Sequence, residues 1–184
     1  TPMAVAADRY ETEFFAAPSG YEPGLLAIST RGRMAQGQWW RNGHAHIDEA
    51  EIWTVREATS SAASPTYAKV SVGGKNLWPM WGTGGATIHF MSDRSGAENL
   101  WSVARNGGGA SQLTSFDDGR LLWPSISADG STIAFERDFG IWTLDVETRA
   151  VRQLDIQLVG AIEGPGPEVQ RETQGWNDIV VAPD

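Results

Sequence analysis

The chain has 184 residues, enough for one domain with its own core, and its 41% hydrophobic and 20% charged content is that of a globular protein. A net charge of −9 with no run of Lys or Arg argues against nucleic acid and anionic membrane surfaces as partners, and no apolar stretch approaches the roughly 20 residues a bilayer span needs. The absence of Cys removes disulfides and thiolate chemistry, while 9 Trp, 21 Gly and 9 Pro suit short strands joined by tight turns, so an all-β chain is expected.

The start "TPMAVAADRY" lacks the charged-then-apolar layout of a signal peptide and reads as a soluble, mature or trimmed chain. The compartment is expected to be periplasmic or cytoplasmic, with a lean to the periplasm. "RYETEFFAA" then reads as a strand lent to a neighbouring sheet. From about 20 to 72 come three strand-like runs, "LLAIST", "AEIWTV" and "YAKVSV", interrupted by the insertion "RGRMAQGQWWRNGHAHIDE".

Residues 73–116 and 117–157 are two clearer copies of one unit. A shift of 45 carries Leu77-Trp78-Pro79 onto Leu122-Trp123-Pro124, Thr87-Ile88 onto Thr132-Ile133 and Phe90 onto Phe135. Farther along, a shift of 41 carries Trp101 onto Trp142 and Gln112-Leu113 onto Gln153-Leu154, which predicts a shorter turn between the middle strands of the later copy. "ATIHF" and "STIAF" alternate at period two, and "TGG", "ADG" and "NGGG" supply the positive-φ residues of hairpin turns. The LWP tripeptide is expected to mark the start of each unit, with Pro ending the preceding loop and Trp packing across a seam. The stretch 158–184, closing on "GWNDIVVAPD", reads as the start of a further unit.

Units of about 40 residues made of four short antiparallel strands have the size of a propeller blade. The fold class is therefore all-β, a partial β-propeller of about three four-stranded blades plus partial blades. Blades bury their faces only against neighbours and closed rings take four to eight of them, so this one is a piece of a larger propeller or is completed by self-association.

"PSISADGSTIAF" resembles the repeat of TolB-type propellers, and residues 67–155 resemble more closely the amino-terminal propeller of tricorn-protease-like serine peptidases. In that family "MSDRSGAENLW" and "FERDFGIW" would fall in consecutive blades of a six-bladed ring, so the resemblance implies that this chain is part of a six-bladed propeller. The resemblance implies a non-catalytic domain that guides or gates polypeptide towards a catalytic region elsewhere. The alternatives are a TolB-like periplasmic protein-interaction module, a fragment of a hydrolase whose catalytic residues lie outside this chain, a glycan-acting enzyme or a plain scaffold.

Local chemistry is sparse. "HAHIDEAE" opens as a metal site does, with His44 and His46 on one face of an extended segment, but His89 is the only other histidine, so no metal centre is expected. No other cofactor is expected. There is no G-x-S-x-G elbow and no phosphate-binding glycine loop, so no catalytic residue is assigned. "QWWRNGH" puts Trp39, Trp40 and Arg41 on the insertion; with His44 and His46 they form the candidate binding set for a polypeptide or protein partner, against the plainer reading that they cover a seam. Trp53, Trp78, Trp81, Trp101, Trp123 and Trp142 recur with the period and are expected to fill between blades.

Overall fold

The computed structural model describes residues 10–11, 16–32, 40–41, 44–45, 49–56, 64–71 and 73–157. Thr1–Leu154 forms one compact unit and Asp155–Asp184 a second. In the second, Gln157 Nε2 donates to Asp155 Oδ2 at 3.3 Å. Residues 158–184, read above as a further blade, lie outside the described residues.

The strands are β1 (Tyr10–Glu11), β2 (Ala16–Pro18), β3 (Leu25–Gly32), β4 (Trp40–Arg41), β5 (His44–Ala45), β6 (Glu51–Arg56), β7 (Thr66–Ser71), β8 (Asn76–Trp81), β9 (Thr87–Ser92), β10 (Asn99–Ala104), β11 (Ser111–Gln112), β12 (Leu122–Ile126), β13 (Thr132–Arg137), β14 (Gly140–Asp145) and β15 (Val151–Gln153). They make three antiparallel meanders, in the orders β2-β3-β6-β7, β8-β9-β10-β11 and β12-β13-β14-β15, with β4-β5 a separate hairpin. The fold is all-β and blade-like, as the period required. The leading segment departs from expectation: it stays with its own sheet, Ala16–Pro18 pairing with Ile28 to Leu26 and Tyr10–Glu11 with Gly32 and Arg31 at the other end of β3.

The repeat is visible in the register. Ile28 opposes Trp53, Phe90 opposes Trp101, and Phe135 opposes Trp142. Between β9 and β10 run Asp93 to Glu98, whereas β13 and β14 are joined by Asp138 and Phe139 alone, the shorter turn that the slip in offset predicted. Period-two burial runs along β13, where Ile133, Phe135 and Arg137 face inward.

Two apolar clusters hold the blades together. Between the first and second, Leu25, Ala27, Ile52 and Val70 meet Trp81, Ile88, Phe90 and Val103. Between the second and third, Leu77, Met80, Met91 and Leu100 meet Leu121, Ile133, Phe135 and Leu144. Burying each such side chain contributes about 1.5–3 kcal/mol, and most of that area exists only because a neighbouring blade supplies the other half. Polar ties cross the same seams: Trp81 Nε1 donates to Ala17 O at 2.8 Å, and Thr83 Oγ1 to Asp129 O at 3.0 Å.

Candidate functional site

The insertion lies between β3 and β6 of the first blade, and within it β4 and β5 pair antiparallel, Trp40 opposite Ala45 and Arg41 opposite His44. Three of the five candidate binding residues are thus brought into one short ladder. Trp39 and His46 lie outside the described residues. Reading this stretch only as an insertion passed over a local signal: Asn42-Gly43 between two paired dipeptides is the strongest short-range sequence mark of a hairpin.

LWP does mark the entry of a blade, with β12 opening at Leu122 and β8 one residue before Leu77, but its Pro lies within the strand and does not end the loop. In both copies it sits inside the first strand of a blade at a β-bulge, the register breaking between Leu77 and Met80 and again between Leu122 and Ser125. Trp78 has φ 54 and Trp123 has φ 51, a left-handed backbone that costs a non-glycine residue about 1–3 kcal/mol. The two indoles meet across the seam at 5.6 Å between centroids and 52° between planes, so the expected contact between blades is present. Yet Trp123 remains 63% exposed, unlike Trp81, which is buried. Filling between blades describes Trp78, Trp81, Trp101 and Trp142, while Trp123 meets Trp78 across the seam on one side and is exposed on the other.

The carboxylates and arginines of the turns serve structure. Lys75 Nζ meets Glu98 Oε1 at 2.8 Å, both residues 8% exposed, and Glu98 Oε2 accepts the Leu121 N–H at 2.8 Å, tying the second blade to the third. Asn76 Nδ2 donates to Ala50 O at 2.7 Å and its Oδ1 accepts from Arg94 Nη2 at 2.7 Å. The Arg94 guanidinium also lies 5.0 Å from the Trp101 ring centroid. Arg137 bonds Asp118 Oδ1 at 2.7 Å and lies 4.2 Å from the Phe116 centroid. Glu22 joins Arg56 at 2.5 Å and Arg105 at 2.8 Å beside a cavity of about 250 Å³ that both arginines line with Tyr67; the bond from Arg56 holds its carboxyl below the usual range.

His89 is 4% exposed, and its Nδ1 has no hydrogen-bond partner. Desolvation lowers its pKa to about 4, so it is neutral at pH 7 and sealed from any substrate. Among the described residues no group of three or more His, Cys, Asp or Glu side chains is placed to hold a metal, and no helix is long and apolar enough to cross a membrane.

No family model matches the chain. It is similar to a tricorn protease homologue of Saccharolobus solfataricus, at 28% identity over 157 residues, which is 85% of this chain and 14% of that protein. Its backbone resembles a puromycin-hydrolysing peptidase of Mycobacterium tuberculosis (TM-score 0.58, 18% identity, 85% of this chain and 23% of that one). It also resembles a candidate TolB of Agrobacterium tumefaciens (TM-score 0.50, 16% identity, 76% of this chain and 60% of that one).

Proposed function

We propose that this chain, whose blades are of the TolB and tricorn-like propeller kind, binds polypeptide and gates its passage while performing no hydrolysis with its own residues. The ligand class comes from the tricorn protease homologue, because a protease handles polypeptide; the chain spans only 14% of that protein, so catalysis is assigned elsewhere. One observation carries the reading: the insertion of the first blade pairs Trp40-Arg41 with His44-Ala45, gathering aromatic, cationic and imidazole residues on one hairpin. Aromatic and cationic residues held on a hairpin would give a polypeptide broad contact area at little entropy cost. A second copy of the chain is proposed to complete the ring, and the periplasm is the proposed compartment.

Titration with fluorescently labelled unstructured peptides tests this. Saturable binding that Trp40→Ala weakens about tenfold, with the melting temperature unchanged, is the expected result. Absence of binding to any peptide would reject it, and peptide cleavage stopped by a serine-directed inhibitor would favour a hydrolase.

A further inference from the structure

We infer that the cavity between the first and second blades is a binding site for a small monocarboxylate with a compact apolar body, held by the guanidiniums of Arg56 and Arg105. The site goes beyond the polypeptide reading and uses no residue of the insertion. The hollow, about 250 Å³, is walled by Leu25, Arg56, Tyr67 and Ala68 of the first blade and by Arg105 and Asn106 of the turn between β10 and β11 in the second.

The wall supplied by the second blade is fixed by the fold itself. Arg105 N donates to Ala86 O at 3.0 Å, and Gly107 N donates to Ala104 O at 2.8 Å, which closes the turn. Gly107 has φ 87, and a Cβ there would stand 3.2 Å from Val70 O, so glycine lets the turn lie directly on β7 of the first blade. Asn106 Oδ1 accepts the Gly108 N–H at 3.3 Å, which leaves the side-chain NH2 as a donor on the cavity wall. Glu22 takes one N–H from each guanidinium, Arg56 at 2.5 Å and Arg105 at 2.8 Å, and so holds the two forks side by side.

Charge and lining together set the chemistry of the occupant. Two guanidiniums against the one carboxylate of Glu22 leave a single positive charge, and among the described residues no other acid is paired with either arginine. A monoanion balances it. The net charge of −9 does not decide the matter, because charges farther away than a Debye length of about 8–10 Å are screened. Each guanidinium presents its donors as a planar fork that fits a carboxylate, and Glu22 engages only part of each. Leu25, Ala68 and the Tyr67 ring give the hollow an uncharged side, and burial raises the Tyr67 pKa, as in a wall partly withdrawn from water. Phosphate gains nothing from that side, whereas an aromatic or branched aliphatic acid buries its body against it. The volume lies below the roughly 300 Å³ at which pockets for larger ligands begin, so the acid is small.

Titration of the 184-residue chain with benzoate, benzamide and inorganic phosphate, followed by the resonances of Leu25, Tyr67 and Ala68, tests the assignment. Benzoate is expected to shift these resonances saturably, with benzamide and phosphate at least about tenfold weaker. This comparison is made on the unaltered chain and needs no variant to fold. Arg105→Met, which keeps the apolar stem, should lose about tenfold in benzoate affinity, and Arg105→Lys, which keeps the charge without the fork, should lose less. Arg56→Met repeats the loss from the other side of the cavity. Equal binding of benzoate and benzamide, no saturation by about 10 mM benzoate, or unchanged affinity in both methionine variants overturns the inference.

Discussion

Desolvation holds the folded-state pKa of His89 at about 4 against 6.5 for the free side chain, and stability should register the difference. Between those values the unfolded chain binds a proton that the folded chain refuses, so stability is fully present above about pH 6.5, falls as pH drops towards 4, and levels off below. The total is about 3 kcal/mol at most. His89→Leu should flatten the profile: the difference between parent and variant melting curves is expected to shrink steadily across this window, and a constant difference would show that His89 titrates normally. Glu98 is a second residue with a large expected effect. Glu98→Ala leaves the Lys75 ammonium buried and the Leu121 N–H without its acceptor, and should cost about 3–5 kcal/mol in denaturant unfolding. Neither residue announced itself in the sequence, because a histidine in an alternating strand and a glutamate in a polar turn look solvated until a neighbouring blade covers them.

Turns and bulges tell elements apart more sharply than strands do. The β13-β14 turn has two positive-φ residues, Asp138 at 50 and Phe139 at 59, and Phe139 is fully exposed. Gly is preferred there and no contact would be lost, so Phe139→Gly should stabilise by about 1 kcal/mol, read as a rise of a few degrees in melting temperature. Gly130 is the opposite case. At φ 75 a Cβ would stand 2.4 Å from Thr83 Oγ1 of the preceding blade, so Gly130→Ala combines backbone strain with a clash across the seam and should destabilise by about 2 kcal/mol or more. The hairpins were legible because each leaves a local mark, "ADG", "TGG" or a change of offset. The bulge at LWP was not: tryptophan before proline reads as the end of a loop, and nothing local says that the strand continues through it with a left-handed kink.

On the scale of the whole molecule, the seams carry the fold and also bear on association. Where the second blade presents Met80, Met91 and Leu100 to the third, the third blade carries Ser125, Glu136 and Ile141 at the matching registers. That face is more polar than an apolar blade end, so association through it should be weak. Sedimentation equilibrium is expected to show the 19.9 kDa chain going over to twice that mass only as concentration rises, and a strictly monomeric chain at the highest concentration would remove the self-completed ring. The blade architecture was readable because period, alternation and turn glycines agree with one another; which tryptophans are covered was not, because that depends on the neighbouring blade.

The central claim is that LWP segments belong to successive blades stacked seam to seam. It is tested most directly by a nuclear Overhauser spectrum of protein deuterated everywhere except at tryptophan. With centroids 5.6 Å apart, the Trp78 and Trp123 indoles should give a cross-peak that disappears in Trp123→Phe. A spectrum without that cross-peak, in a chain shown by its other signals to be folded, would contradict the stacked blades.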